Sequence, residues 1–345
     1  MGAIEVLRGG TLTTVQDQGR KGYLQSGMPR AGAVDSYAFR LANLLVANPP
    51  QAAVLEATLQ GPELIFKEEA VIAVTGADMA PQLDGKQLPM WQAVQVSKGS
   101  VLSLGTVKSG LRSYIAIAGG IDVPLVMGSK ATYLRGSLGG FKGRSLQAGD
   151  RLKFLDSEGV DTSLLGKNLY KYKDSLVDYL EAEEIRVVLG PQDDHFTKAS
   201  LETFLNTEYK LDNRADRMGC RLIGPTLEHR QGPDIISDGI PLGAIQVPGH
   251  GQPIIMLADR QTTGGYAKIA TVISVDLPKV AQSKPGDKLE FRAVTVEQAQ
   301  LELRARAEEI KEFSKLLARK SENTKKYFRV KVNGEEFSVE IEEVE

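Results

Sequence analysis

Polar side chains and glycines are concentrated in one segment of the chain, "GAIQVPGHGQPIIMLADRQTTGGYAKIATVISVD", at positions 243–276. The amide side chains of Gln246 and Gln261 both donate and accept hydrogen bonds, which matches an amide or ureido group. Gly264 and Gly265 lack a Cβ, so the backbone there can approach a ligand closely. The segment therefore predicts a pocket for a small polar, amide-like molecule.

Three shorter segments also combine charged or amide residues with glycine: "TTVQDQGRKGY" in the N-terminal region, "TGAD" and "DRMGCRL". Their candidate site residues are Gln16, Asp17, Arg20, Asp78, Arg217 and Arg221. One interpretation places them in binding loops at the ends of apolar strands. The alternative is that they stabilise turns through hydrogen bonds from side chain to backbone.

The sequence contains none of the common catalytic motifs: there is no G-x-x-x-x-G-K-[ST], no G-x-S-x-G and no H-E-x-x-H. The three histidines (His195, His229 and His250) are far apart, and Cys220 is the single cysteine. This spacing gives no support to a metal site. A Ser-His-Asp triad stays compatible with it, although no local motif indicates one.

Composition favours a cytoplasmic protein rich in β structure. The 345 residues include 42 basic and 44 acidic ones, and the net charge of -2 offers no electrostatic basis for binding nucleic acid or an anionic membrane. A single cysteine cannot form an internal disulfide, which fits a reducing compartment. The N-terminus lacks the apolar run of a signal peptide, and the 35 glycines favour many turns.

Short apolar segments bounded by turn residues predict the strands that must position these side chains. They are "AVIAVTGAD", "YIAIAGGID", "IRVVLGPQDD", "IIMLADRQ" and "TVISVDLP". Because no regular helical pattern separates them, antiparallel barrels or sandwiches are favoured over a doubly wound sheet. The similar segments "LQAGDRLKF" and "SKPGDKLEF" favour two related β units, unless they are only common Gly-Asp turns.

Near the C-terminus, Thr295 and Gln298 predict a capping box that starts a long helix with one apolar stripe. The stripe consists of Val296, Ala299, Leu303, Ala307, Ile310, Phe313 and Leu317. The final segment, "YFRVKVNGEEFSVEIEEVE", alternates in strand period around Asn-Gly and predicts a hairpin.

These elements predict a mainly β protein with some α structure and five parts. They are an N-terminal β domain at 1–160, a linker region at 161–184, a second β domain at 185–293, a helix at 294–322, and a linker with hairpin at 323–345.

Many of these segments, in order, closely resemble the biotin-dependent carboxyltransferase (allophanate hydrolase subunit 2) family. The resemblance rests on "TTVQDQGRKGY", "VTGADM", "AIAGGIDV", "DRMGCRL", "IIMLADRQTTGGYAKIATVISVDLP" and "AQSKPGD". This family includes one of the subunits of bacterial 5-oxoprolinase, the KipA regulator and the carboxyltransferase region of urea carboxylase. The resemblance implies two cyclophilin-like β-barrel units and an enzyme that acts as part of a cytoplasmic hetero-oligomer.

The resemblance also implies partners and cofactors outside this chain. The expected partner is a KipI-like subunit of the allophanate hydrolase subunit 1 family, with a third oxoprolinase-type subunit or a biotin carboxylase and carrier. Carboxybiotin would be presented by that carrier, or ATP would be used by the assembled complex. The substrate stays open between 5-oxoproline, urea and another amide, and a non-catalytic KipA-like regulator is the alternative.

Residue type and family position together suggest roles. Asp78, Asp259 and Lys268 are expected to transfer protons, and Arg217 and Arg221 to contact a carboxylate. The expected substrate-binding set is Gln16, Asp17, Arg20, Arg217, Arg221, Gln246, Gln261, Thr262, Gly264, Gly265 and Tyr266.

The C-terminal hairpin is similar to the opening of biotin carboxyl carrier domains, although such hairpins also arise easily by chance. The Met-Lys-Met turn that carries biotin in those domains does not occur here, so no biotin is expected on this chain.

Overall fold

The computed structural model describes residues 2–155, 165, 168–169, 178–181 and 183–318, together with the backbone of two strands at 326–332 and 335–341. Two lobes carry most of the structure: an N-terminal lobe (residues 2–155) and a barrel lobe (residues 183–293).

The N-terminal lobe consists of two antiparallel sheets. Its strands are β1 (Gly2–Arg8), β2 (Leu12–Gln16), β3 (Val54–Thr58), β4 (Glu63–Phe66), β5 (Ala70–Asp78), β6 (Gln82–Leu83), β7 (Lys86–Gln87), β8 (Val94–Val96), β9 (Val101–Ser103), β10 (Ser109–Ile117), β11 (Ile121–Asp122) and β12 (Arg151–Phe154). Seven form a sheet in the order β11-β12-β1-β4-β9-β6-β7, and five form β2-β3-β10-β5-β8. Alternating apolar residues such as Ile4, Leu64, Val74 and Ile115 fill one core between the sheets.

Helix α1 (Ser36–Leu45) covers the outer face of the five-stranded sheet. It begins where Asp35 accepts hydrogen bonds from the amides of Tyr37 and Ala38, an N-cap that satisfies two donors of the first turn. Apolar residues of the helix, including Leu41 and Leu45, then pack in one cluster with residues of the sheet.

The barrel lobe contains nine strands and two helices. They are β13 (Glu184–Leu189), α2 (Lys198–Asn206), β14 (Tyr209–Leu211), β15 (Gly219–Ile223), β16 (Asp234–Gly239), β17 (Ala244–Gln246), β18 (Ile254–Met256), β19 (Thr263–Tyr266), β20 (Lys268–Val272), α3 (Leu277–Gln282) and β21 (Lys288–Ala293). Seven strands close a barrel in the order β13-β20-β17-β18-β15-β14-β21, with Val187, Ile245 and Phe291 among the buried residues of its core. Strands β16 and β19 form a separate two-stranded ribbon.

Short 3₁₀ helices complete the described structure at Leu24–Ser26, Leu134–Gly136, Asp178–Glu181 and Asp193–His195. Within the described residues, no helix is both long and apolar enough to cross a membrane.

The predicted fold class is confirmed: the protein is mainly β with some helix, and it includes a closed barrel, a C-terminal helix and a terminal pair of strands. The predicted strand "TVISVDLP" is wrong beyond its second residue. Strand β20 ends at Val272, and α3 begins at Leu277 with Pro278 in its first turn. The predicted domain boundaries stay predictions.

The C-terminal helix α4 (Val296–Ala318) begins as its sequence predicts. The Thr295 amide donates to Gln298 Oε1 at 2.9 Å, and the Gln298 amide donates to Thr295 Oγ1 at 3.2 Å, which confirms the capping box. Its apolar stripe is buried only at the C-terminal end, by Phe313 and Leu317. The N-terminal part of the stripe faces solvent, since Val296 and Leu303 are 50% and 49% exposed.

The terminal strands β22 (Lys326–Val332) and β23 (Glu335–Ile341) pair antiparallel along their whole length, up to Val332 opposite Glu335. The predicted Asn-Gly turn between them lies outside the described residues. In the part of the chain that the structure describes, this pair joins no other sheet. Its likeness to a carrier domain stays a prediction.

Deleting residues 319–345 is expected to leave the midpoint of unfolding in guanidinium chloride unchanged, because the described hairpin pairs only with itself. Replacing the buried Phe313 by Ala should lower the free energy of unfolding by about 3–5 kcal/mol, as removal of a core aromatic side chain does. A truncated chain that unfolds as readily as the Phe313→Ala variant would contradict the independence of the hairpin.

Candidate functional site

A buried guanidinium connects the two lobes. Arg217 lies just before β15, and its side chain donates to the carboxylate of Glu56 on β3 and, at 2.6 Å, to the carbonyl oxygen of Gly32. On the barrel side, its Nε and Nη2 lie 3.1 and 2.9 Å from the carboxylate oxygens of Asp259. One side chain therefore binds two carboxylates and a carbonyl group that come from different lobes.

The electrostatics of this group depend on its burial. Burial acts to lower the pKa of Arg217, but attraction by Asp259 and Glu56 outweighs it, so the pKa lies above its ordinary value. Burial raises the pKa of Asp259, and the guanidinium opposes that rise. Arg217 and Asp259 are thus occupied with each other, and their roles in carboxylate contact and proton transfer stay predictions.

A second set of hydrogen bonds surrounds the first. The Tyr114 hydroxyl donates to Glu56 at 2.8 Å and accepts from the amide of Asp35. The Asp35 carboxylate accepts from Gln282 Nε2 at 2.6 Å and from the Tyr179 hydroxyl at 2.8 Å. Because Gln282 ends α3 and also bonds to the backbone of β10, this set joins the lobes a second time.

Two of the predicted N-terminal residues support the local fold. Asp17 accepts from the Gly19 amide at 2.7 Å, the Ser129 hydroxyl at 2.7 Å and the Lys130 amide at 2.6 Å, which is the turn-stabilising role considered as the alternative. Gln16 donates to the Thr132 carbonyl at 3.2 Å, while its own Oε1 is buried with no hydrogen-bond partner among the described residues.

The third, Arg20, is a buried cation. Its Nη2 donates to the Ala131 carbonyl oxygen at 2.6 Å, but Nε and Nη1 have no hydrogen-bond partner within the described part of the chain. Burial lowers the pKa of Arg20, and attraction by Asp17 and Asp259 opposes that change.

The strongest grouping of predicted residues lies between the barrel and the ribbon of β16 and β19. Gln246 on β17 stands directly opposite Lys268 on β20. Their neighbours Ile245 and Ile269 are buried in the barrel core, so Gln246 and Lys268 lie on the other face of these strands. The ribbon strand β19 passes over this face, because Gln246 Nε2 donates to the Tyr266 carbonyl oxygen at 3.3 Å.

The polar geometry of this barrel–ribbon site is specific. Lys268 is 1% exposed, and its ammonium group lies 3.0 Å from the carboxylate of Asp238, a ribbon residue whose side chain is 56% exposed. The ammonium lowers the pKa of Asp238 through its hydrogen bond. A Cβ at Gly264 would lie 2.7 Å from Ile240 Cδ1 and 3.1 Å from Gln246 Nε2, so the ribbon packs closely on both side chains there.

The remaining predicted residues of positions 243–276 lie in the ribbon strand β19 or in the residues directly before it. Gly265 is in β19, Tyr266 ends that strand and is 41% exposed, and Gln261 is exposed at its entry. The carbonyl oxygen of Thr262 accepts from the Ile240 amide at 3.0 Å. Gly264, Gly265 and Tyr266 therefore lie on the ribbon, and Gln261 and Thr262 lie directly before it.

Asp78 and Arg221 have other surroundings. Asp78 ends β5 and accepts from the amide of Ala80 at 2.7 Å, which stabilises the following turn. Arg221 is exposed on β15, where it lines a pocket of about 280 Å³ together with His250. Their proposed roles in proton transfer and carboxylate binding stay predictions.

Three polar residues at these places did not enter the sequence predictions. Glu56 is a lone carboxylate inside an apolar strand, a pattern that indicates a buried partner. Arg260 follows Asp259 directly, and burial lowers its pKa to about 10 while it donates to the Ile240 carbonyl oxygen. Asp238 has no distinctive sequence signal. Among the described residues, no group of His, Cys, Asp and Glu could hold a metal ion.

The two lobes, with a polar site where a closed barrel meets a glycine-containing ribbon, define a mainly β domain of the carboxyltransferase class. The profile of the carboxyltransferase domain family, subdomains A and B, matches residues 26–293, and the chain belongs to this family.

Relatives agree with this assignment. The chain is 37% identical over 320 residues to a 5-oxoprolinase subunit of Escherichia coli, and the match covers 91% of this chain and 97% of that protein. It is 38% identical over 309 residues to urea amidolyase of Saccharomyces cerevisiae, of which it spans only 17%. The crystal structure of the K. lactis urea amidolyase matches 90% of the chain with a TM-score of 0.82 and 34% identity, and the match spans 20% of that protein.

The buried connection between the lobes predicts a large effect of Arg217→Lys. Lysine has a single nitrogen and cannot satisfy Glu56, Asp259 and Gly32 together, so buried carboxylates lose partners. We expect the free energy of unfolding in guanidinium chloride to fall by about 3–5 kcal/mol.

The matched control is Arg292→Lys on the barrel, which alters a pair with Glu184 in which the two side chains are 53% and 54% exposed, and it should leave the unfolding midpoint unchanged. Equal midpoints for the two variants would show that Arg217 does not hold the lobes together.

Proposed function

We propose that this protein is the carboxyltransferase-type subunit of a biotin- or ATP-dependent complex that metabolises a small amide, of the 5-oxoprolinase or urea carboxylase kind. The single observation that carries this proposal is the barrel–ribbon site. There, a buried ammonium group, Lys268, lies beside the Gln246 amide under a glycine-containing strand. Membership of the carboxyltransferase family supports carboxyl transfer as the reaction. The barrel–ribbon site contains an ammonium group and an amide group that such a reaction could use.

The chemistry of these residues suits an amide substrate and a carboxyl donor. The amide groups of Gln246 and Gln261 would orient the acceptor nitrogen and its carbonyl oxygen, with Thr262 and Tyr266 at the edge of the site. The Lys268 ammonium would stabilise negative charge that develops on the transferred carboxyl group. Its exposed partner Asp238 can be replaced by a ligand carboxylate, because that side chain already faces solvent.

A carboxybiotin group would match this site by charge. When bound, it would supply an activated carboxyl group for transfer to the acceptor nitrogen. The buried ammonium, with one described carboxylate partner, is the cation that an incoming carboxylate needs. If the complex uses ATP instead, the same groups would bind the amide while another subunit binds the nucleotide.

The relatives support a role inside a larger assembly. One is a subunit by name, and another is a longer amidolyase of which this chain matches a part. We propose a hetero-oligomer with a KipI-like subunit and with a third oxoprolinase-type subunit or a biotin carboxylase and carrier. Cyclophilin-like lobes and a cytoplasmic location belong to the same proposal.

The variant Lys268→Gln tests the site in the complex reconstituted from this chain and its partners. Removing the ammonium should lower turnover of 5-oxoproline or urea by about 10²-fold, the usual cost of losing one electrostatic donor. Lys288→Gln is the matched control, since it removes an exposed lysine paired with Glu208 on the barrel. Its turnover should equal that of the unaltered complex.

Full activity of a folded Lys268→Gln complex would remove the barrel–ribbon site from the mechanism. Tight binding of the KipI-like partner, with no turnover by any assembled complex, would instead favour the KipA-like regulator.

A further inference from the structure

A cavity lies between the lobes, away from the barrel–ribbon site. It has a volume of about 270 Å³, which is enough for a small organic molecule and more than single waters need. Much of its wall is apolar and comes from both lobes: Leu12, Leu59 and Leu111 from one, and Met218, Cys220 and Pro285 from the other.

One of the charged residues that line this cavity has no ion-pair partner among the described residues. Asp259 is bound by Arg217 on the wall, and Asp216 lies 3.7 Å from Arg135 in a half-exposed pair. Arg112 also lines the cavity, but it forms no ion pair with any described carboxylate. Since Arg217 also binds Glu56 behind the wall, the charges of the region are equal in number, and Arg112 differs from the others in having no carboxylate beside it.

Arg112 is held in place while part of its hydrogen-bonding capacity is unused. It is 4% exposed, and its Nη1 donates to the Ala281 carbonyl oxygen of the other lobe. Its Nε is buried without a partner among the described residues. A cation in such a place costs free energy unless an anion accompanies it, so the unpaired guanidinium indicates a ligand of opposite charge.

We infer that this interlobe cavity is a binding site for a small organic anion, with a single carboxylate that meets Arg112 and an apolar body that contacts the leucine and methionine side chains. An inorganic ion would leave the apolar wall unfilled, and a neutral molecule would leave Arg112 unpaired. Because both lobes form the wall, the bound anion would stabilise their arrangement and raise the temperature of unfolding.

Isothermal titration of the isolated full chain tests this site without any turnover, so the result is independent of the proposed reaction. The probe is benzoate, a monocarboxylate with a compact apolar body, and benzamide is its neutral counterpart of equal shape. Benzoate should bind with one site per chain and raise the melting temperature. Benzamide should bind about tenfold or more weakly, because a charge-assisted hydrogen bond is lost.

Two variants test whether benzoate binds in this cavity, and a third serves as the control. Arg112→Gln should weaken benzoate by about tenfold or more and leave benzamide unchanged. Leu134→Trp places a large side chain on the cavity wall and should abolish the binding of benzoate even if Arg112→Gln fails to fold. Arg151→Gln removes an exposed arginine paired with Glu5 and should bind benzoate as the unaltered chain does.

A crystal of the complex with 4-bromobenzoate should show the bromine among the leucine side chains and the carboxylate at Arg112. Three results would overturn the inference: no binding of benzoate, equal binding of benzoate and benzamide, or benzoate binding that Leu134→Trp leaves intact.

Discussion

The arrangement of the two lobes depends on one buried guanidinium. Arg217 shares its donors between Glu56 and Gly32 of the N-terminal lobe and Asp259 of the barrel lobe. Buried charges are tolerated only when their hydrogen bonds are complete, so this group permits one relative position of the lobes and penalises others. The hydrogen bonds of Asp35, Tyr114 and Gln282 reinforce the same position.

The ion pair between Arg217 and Asp259 also constrains the barrel–ribbon site, because Asp259 lies close in sequence to the ribbon. Asp259, which binds Arg217, is followed within four residues by the start of the ribbon strand β19 at Thr263. The neighbouring Ala258 carbonyl oxygen accepts from the amide of Ala31, which adds a backbone contact between the lobes. The ribbon that covers Gln246 and Lys268 is therefore anchored at one end by the interface, and a change at Arg217 would be expected to alter the site as well as stability.

Much of the fold and part of the site could be predicted from the sequence. Apolar segments and the capping box of α4 identify real elements, because they reflect local backbone preferences. Gln246 and Lys268 lie in one glycine-rich segment, and the pairing of β17 with β20 brings them opposite each other. Contacts between distant segments could not be predicted in this way: Glu56 and Arg217 are 161 positions apart, and neither carries a local signal for the other.

Because contacts between distant segments cannot be predicted from local sequence, the sequence predictions and the structure differ in other places too. The apolar stripe of α4 predicts which face of the helix is apolar, but periodicity does not say how far a helix overlaps the body, and only Phe313 and Leu317 are buried. Asp17 and Asp78 are acidic residues of the kind found in active sites, but here they accept hydrogen bonds from backbone amides and stabilise turns. The sequence alone does not show which amides lie near each carboxylate.

We propose that this chain completes an amide-metabolising carboxyltransferase complex. The most direct measurement is turnover of 5-oxoproline and of urea by the partner subunits, with ATP and bicarbonate, in the presence and absence of this chain. The account predicts turnover of one of the two substrates only when the chain is present, and none by the chain alone. Equal turnover with and without the chain, or activity of the isolated chain, would contradict it.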